Sequence, residues 1–106
     1  MKIVDVKESG ERCAEAGWFA WDILFDGPME KEFIKKLSVI GGSFVFLEML
    51  RNPFFKLEAE HYIVKGVQGN DFLRAAVHRD YPEELERIKG ILENTAEGDK
   101  INSYPQ

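Results

Sequence analysis

The sequence predicts an α+β fold, a two-layer sandwich in which a mostly antiparallel four-stranded sheet carries two helices on one face. Two observations support the sheet. Apolar and polar side chains alternate over residues 55–64, and over residues 18–25 the larger apolar side chains fall on every second residue. The helices rest on a third observation, because apolar residues recur at helical spacing over residues 28–38 and again after Pro82.

Length and composition indicate one domain. The chain has 106 residues, of which 44% are hydrophobic and 31% charged, as is typical of a single globular domain. We expect that α+β domain to span residues 18–95. A poorly defined N-terminal segment, residues 1–17, precedes it, and its residues 3–6 suit a short edge strand. A flexible C-terminal tail, residues 96–106, is expected to follow.

Charge and cysteine content narrow the classes of protein. Fourteen basic and nineteen acidic residues give a net charge of −5, and no basic stripe appears, so we expect no nucleic-acid partner. No stretch approaches the roughly 20 apolar residues that span a bilayer, so we expect no membrane association. Cys13 is the single cysteine and cannot form an internal disulfide, which predicts a reducing compartment, the cytoplasm.

The first predicted strand and helix follow each other directly. The strand begins at Trp18, and Asp26-Gly27-Pro28 ends it. Pro28 also suits the first position of a helix. Apolar residues at helical spacing then predict an amphipathic helix over Pro28–Ser38: Met29, Phe33, Ile34 and Leu37.

Three further strands are predicted to form a meander: Ser43–Leu50, Phe55–Val64 and Asp71–Arg79. Turn residues at Arg51-Asn52-Pro53 separate the first two, and the glycines of Lys65–Asn70 suit a hairpin loop between the last two.

A second amphipathic helix is predicted after Asp80-Tyr81-Pro82, with one apolar stripe: Leu85, Ile88, Ile91 and Leu92. The resulting order, β-α-β-β-β-α, is loosely similar to ferredoxin-like two-layer sandwiches, although the second helix comes one strand later. The short β-α-β unit predicts a right-handed crossover, which places the first strand parallel beside the second or elsewhere in the sheet.

The turns also predict the register of the meander. Folding around Asn52 sets Leu47 near Leu57, and folding around Gln68 sets Leu57 on the same face as Val77. Both turns give one consistent apolar face, which the two helices are expected to cover with Phe33 and Leu85 among the buried residues.

Because side chains alternate between the two faces of a strand, the other face of the predicted meander carries both aromatic and charged residues: Phe44, Phe46, Glu48, Lys56, Glu58, Glu60, Tyr62, Phe72, Arg74, Ala76 and His78. Its aromatic members predict a self-association interface made by Phe44, Phe46, Tyr62 and Phe72, since a contiguous apolar patch usually marks an interface or a ligand groove. Its polar members predict a ligand site formed by Glu58, Tyr62, Arg74 and His78. Cover by the N-terminal segment is the third interpretation.

Catalytic signals are weak. His61 is predicted on the apolar face as a neutral, hydrogen-bonded residue, with a base of lowered pKa or a metal ligand as alternatives. His61 and His78 fall on opposite faces by this parity, so we expect no metal site, and no motif predicts a cofactor. The run His78-Arg79-Asp80 is similar to the kinase catalytic loop, but Leu85 stands where that loop needs asparagine.

These observations favour a non-enzymatic binding or assembly module that self-associates through its sheet, as a homodimer. The alternative hypothesis is a small-ligand-binding protein or minor enzyme with a pocket on the open sheet face. A ligand site requires a concave pocket with convergent polar groups, whereas an assembly surface is flatter and self-complementary.

Overall fold

The computed structural model describes the backbone of residues 2–9 and 17–102 and the side chains of residues 2–9 and 17–94. In chain order the elements are β1 (Ile3–Glu8), β2 (Trp18–Phe25), α1 (Lys31–Lys36), a 3₁₀ turn (Leu37–Ile40), β3 (Ser43–Leu47), β4 (Phe54–Glu58), β5 (Tyr62–Val67), β6 (Phe72–His78) and α2 (Glu83–Asn102). Cys13, from which a reducing compartment was predicted, lies outside the described residues.

The α+β class is confirmed, but the predicted four-stranded sheet and the order β-α-β-β-β-α are wrong, because the sheet has six strands. One additional strand is β1, which pairs with β2. The other arises because residues 55–64 are not one strand. The chain reverses at Ala59-Glu60-His61, where the Ala59 N–H donates to the Tyr62 carbonyl at 2.9 Å.

The strand order across the sheet is β1-β2-β6-β5-β4-β3, and every neighbouring pair is antiparallel. Of the two predicted positions for the first strand, the one parallel beside the second is therefore wrong, and β2 lies elsewhere in the sheet, between β1 and β6. Instead, α1 and the 3₁₀ turn carry the chain from β2 to β3 at the far edge of the sheet. The meander β3-β4-β5-β6 then returns strand by strand until β6 pairs with β2.

The strand register reverses the predicted parity of β3 and β5. Val45 lies opposite Lys56, and Tyr62 lies opposite Val77. Since directly opposite residues of a sheet share a face, Val45 joins the face of Lys56, and Tyr62 joins the face of Val77. Leu47, predicted to be buried with Leu57, consequently points to the other face and is exposed.

One face of the sheet is covered by both helices, as predicted, and holds the core. We call it the covered face, and the other the open face. The core contains residues of the sheet, the helices and their connections: Ile23, Phe25, Met29, Ile34, Leu37, Ile40, Phe55, Leu57, Tyr62, Val64, Leu73, Ala75, Val77, Ile88 and Leu92. Phe33 and Leu85 pack against it while remaining partly exposed.

Helix α1 begins at Lys31 rather than at Pro28. The reason is a backbone pairing at Met29, whose N–H donates to the Asn70 carbonyl at 2.8 Å and whose carbonyl accepts from the Gly69 N–H at 2.9 Å. These bonds tie the segment before α1 to the turn between β5 and β6 and bury the Met29 side chain. The same residue therefore contributes to the core without being helical.

Gly66 lies inside β5, and not in a loop as the sequence predicted. It sits on the covered face beneath the Phe55 ring, so a Cβ built on Gly66 would stand 2.8 Å from Phe55 Cε1 and 3.2 Å from Met29 Cε. The absence of a side chain is what lets the buried Phe55 ring lie flat against the neighbouring strand.

Replacement of Gly66 by alanine should destabilise the protein by about 1–3 kcal/mol, since an added methyl must displace the packed Phe55 ring. Chemical denaturation with unchanged m-value would measure it. Gly27→Ala is the matched control, because a Cβ at Gly27 meets no atom within 4 Å, and a change within about 0.5 kcal/mol is expected there. Equal effects at both positions would contradict the packing of Phe55 on Gly66.

Candidate functional site: the open face of the sheet

The open face is formed by every second residue of the strands, on the side away from α1 and α2. Of the strand residues that the structure describes there, none is buried. On the covered face, in contrast, the central strands β4, β5 and β6 bury almost every side chain they contribute. Among residues 2–9 and 17–94, therefore, no element packs across the open face.

An apolar row crosses the open face at one end of the strands. Leu24 lies opposite Phe72 on the β2–β6 side. Phe54 lies opposite both Val67 and Leu47 on the β5–β4–β3 side. Five strands thus each supply one hydrophobic side chain, and we call these five residues the apolar row. A contiguous apolar patch of this kind is typical of an interaction surface.

A charged row lies beside the apolar row. Lys56 is directly opposite Lys65, and Lys65 is directly opposite Arg74. Like charges in that arrangement destabilise a sheet, but two carboxylates offset them. The Arg74 Nε donates to Asp22 Oδ1 at 2.8 Å, and Lys56 Nζ lies 3.3 Å from Glu58 Oε1. The charges of this face are therefore largely organised into pairs.

The four residues predicted as a ligand site do not converge. Glu58, Arg74 and His78 do lie on the open face, but each has a different neighbour there. Glu58 pairs with Lys56, Arg74 pairs with Asp22, and His78 contacts the edge of the Trp18 ring at 5.7 Å. Tyr62, the fourth, is buried on the covered face. These four side chains therefore share no pocket, and ligand binding stays a prediction.

The predicted interface residues are divided between the two faces. Phe72 is on the open face, as predicted. The placement of Phe44 and Phe46 there was wrong, since they lie opposite the buried Leu57 and Phe55 and pack against the core. Their rings contact each other at a centroid distance of 6.5 Å. Self-association itself stays a prediction, and Leu47 and Phe54 take the places in the patch that the sequence assigned to these aromatics.

Tyr62 has a structural environment on the covered face. Its hydroxyl donates to the Ile40 carbonyl at 3.0 Å and lies 3.2 Å from the Gly41 carbonyl. Arg87 of α2 stacks over its ring at 5.0 Å and donates to the same Ile40 carbonyl at 3.0 Å. A hydrogen bond from Arg87 to Glu84 raises the pKa of the guanidinium above its ordinary value. Sheet, 3₁₀ turn and α2 thereby meet at one polar contact.

The two histidines meet at the end of the sheet, although the sequence placed them on opposite faces. His61 stacks on Tyr81 with ring centroids 3.6 Å apart, and His78 approaches the edge of the same ring at 5.8 Å. The His78 N–H donates to the His61 carbonyl at 3.0 Å. His78 Nδ1 also accepts from the Asp80 N–H at 3.0 Å. The sequence signal for this cluster was hidden because His61 was assigned to a strand instead of a turn.

Two features bear on small ligands and metals. A cleft of about 120 Å³ lies between the sheet and the start of α2 and is lined by Phe19, Trp21, Val77, His78, Arg79, Pro82 and Leu85. Binding sites for drug-sized ligands commonly enclose roughly 300–1,000 Å³, so this cleft suits a single side chain better. Within the described part of the chain, no three His, Cys, Asp or Glu residues are grouped so that they could hold a metal ion.

Comparisons with protein-family models, with curated proteins and with solved structures found no match. In the described residues, no helix has the length and apolar character needed to cross a membrane.

Tyr62→Phe tests the structural role of the hydroxyl. We expect a loss of about 1 kcal/mol in the free energy of unfolding, because the Ile40 carbonyl keeps its bond from Arg87 while the Tyr62 bond is lost. Tyr81→Phe, at an exposed ring, is the control and should change stability by less than about 0.5 kcal/mol. An unchanged stability for Tyr62→Phe would show that the hydroxyl contact does not hold the 3₁₀ turn.

Proposed function

We propose that this chain is a non-enzymatic binding or assembly module that self-associates through the open face of its sheet. The observation that carries the proposal is the apolar row on a face where no described residue is buried. The single cysteine of the chain supports a reducing compartment, so the proposal places the assembly in the cytoplasm.

Burial of the apolar row supplies a driving force for association. Each Å² of apolar surface removed from water contributes about 25 cal/mol. Two sheets that pack face to face stand roughly 10 Å apart and interdigitate side chains of both inner faces. A two-fold axis that lies between the two sheets and parallel to them would bring the apolar row of one copy against that of the other. One interface would then bury ten such side chains.

The charged row suits the border of such an interface. Arg74 already has Asp22 as its partner, and Lys56 has Glu58. Paired charges lose less on partial desolvation than single ones, because the opposite charge replaces part of the lost water. Interfaces commonly surround an apolar centre with polar residues of this kind. The row therefore limits binding to partners that match its charges.

Phe72→Glu tests the proposal, since Phe72 lies in the apolar row on the strand at the middle of the sheet. We expect sedimentation equilibrium to show a smaller assembly for the variant than for wild type, because only the open-face contact is lost, and circular dichroism to show an unchanged spectrum. Two added carboxylates, one from each copy, would be buried in the same interface.

Val39→Glu is the control, because Val39 is similarly apolar and 66% exposed but lies in the 3₁₀ turn, away from the open face. It should leave the association constant unchanged. Leu24→Glu, in the same row, repeats the test if Phe72→Glu fails to fold. A wild type that stays monomeric at high micromolar concentration, or a Phe72→Glu variant that associates as well as Val39→Glu, would refute the proposal.

A further inference from the structure

Among residues 2–9 and 17–102, the six-stranded sheet ends in two edge strands, β1 and β3. Each edge strand presents backbone N–H and C=O groups on the side where no strand of these residues pairs with it. Such groups readily pair with a strand of another chain, and soluble proteins usually prevent this with bulges, charges or prolines on their edges. The two edges of this sheet differ in these protections.

Strand β1 has two of the protections. Its pairing with β2 is interrupted between Ile3 and Asp5, where the register shifts. Three of its six residues are charged: Asp5, Lys7 and Glu8. An added strand would have to follow the irregular backbone and accommodate charges on both faces, so the β1 edge disfavours pairing.

Strand β3 has none of these protections. Its sequence, Ser-Phe-Val-Phe-Leu, contains no charge and no proline, and all five residues pair with β4 without a register shift. Val45 is 48% exposed and Leu47 is 37% exposed. The loop that follows adds Met49, 88% exposed, and Leu50. A regular, apolar and accessible edge of this kind is suited to accept a strand.

We infer that the outer edge of β3 pairs antiparallel with β3 of a second copy of this chain, around a two-fold axis at Val45. In that register Val45 lies opposite Val45 of the second copy, and Phe44 lies opposite Phe46. The strand is therefore complementary to itself on both faces: aromatic rings meet on the covered face, and aliphatic side chains meet on the open face.

Electrostatics favour a second copy as the occupant. The first charged residue after β3 is Glu48, and the proposed register sets it opposite Gly42 of the second copy, so no like charges meet. Glu48 is in addition paired within its own chain, since Lys31 Nζ lies 2.9 Å from its carboxylate. Its hydrogen bond with Lys31 lowers the pKa of Glu48, and the same bond raises the pKa of Lys31.

The edge contact closes on itself. Because a two-fold axis uses the β3 edge of both copies, the outer edges of the resulting twelve-stranded sheet are two β1 strands, which resist further pairing. The edge contact by itself therefore gives a dimer and not a filament. Edge pairing also leaves both open faces accessible, so this contact is separate from the face-to-face association proposed above.

Single cysteines test the register directly, in a chain whose Cys13 is replaced by serine. Opposite Cα atoms in antiparallel strands are about 4.5–5.5 Å apart, which permits a disulfide. Val45→Cys should therefore form a covalent dimer in oxidised glutathione. Leu47→Cys is the matched control, since four residues separate it from its own symmetry mate, about 13 Å along the strand. We expect cross-linking of Val45→Cys to be at least about ten-fold faster, in keeping with that difference in reach.

Two further measurements separate the edge from the face. The Val45→Cys/Phe72→Glu double variant should cross-link as fast as Val45→Cys, because Phe72 lies three strands away from β3. Amide hydrogen exchange in β3 should also slow by about ten-fold or more in the covalent dimer, while exchange in β1 stays unchanged.

Three results would overturn the edge contact: equal cross-linking of Val45→Cys and Leu47→Cys, loss of cross-linking on adding Phe72→Glu, or unaltered exchange in β3. Loss on adding Phe72→Glu would assign the contact to the open face instead. If the β3 amides were protected from hydrogen exchange only in mixtures with another protein, the added strand would belong to that protein and not to a second copy. That result would equally refute the inference.

Discussion

Between β4 and β5 the chain reverses over Ala59, Glu60 and His61, and this short reversal determines which side chains of the meander meet the helices. It sets Leu57 opposite Val64, so both point into the core. Since the strand period is two, a turn longer or shorter by one residue would place Ile63 inside and Val64 outside. The burial of Tyr62 and Phe55, and the exposure of Lys56 and Lys65, follow from the same geometry.

The covered face depends on this register in two places. Tyr62 reaches the Ile40 carbonyl only because it points toward the helices, and Arg87 then joins α2 to the same carbonyl. Gly66 must likewise lie under Phe55, where a side chain would collide with the ring. Both contacts connect the sheet to elements distant in sequence, and they explain why the segment from Met29 to Gly42 crosses this face and leaves the other accessible.

Much of the architecture was predictable because local patterns were strong. The period of two in β2 and β6, the helical stripe of α2 and the turn residues near Asn52 all lie where the sequence placed them. Phe72, Arg74, His78 and Glu58 were assigned to the open face correctly for the same reason.

The predictions failed where a turn lacked turn residues. Ala59-Glu60-His61 contains no glycine, proline or asparagine, so residues 55–64 were predicted as one strand. Tyr62 was consequently placed on the wrong face of the sheet. At β3 the loop length was misjudged. Six residues, 48–53, separate β3 from β4, so even-numbered residues of β3 lie opposite odd-numbered residues of β4. Phe44 and Phe46 therefore face the core, and Leu47 faces outward. Gly66 was read as part of a loop because the ring that requires it, Phe55, is distant in sequence.

Helices cover one side of the sheet, and we propose that its open side and its β3 edge engage further copies of the chain. Amide-resolved NMR over a dilution series tests this most directly, since each backbone N–H reports its own surroundings. Concentration-dependent shifts should cluster in β3 and in the apolar row and should be absent from α1, the 3₁₀ turn and the exposed side of α2. Spectra that do not change with concentration, or shifts confined to the helices, would contradict the account.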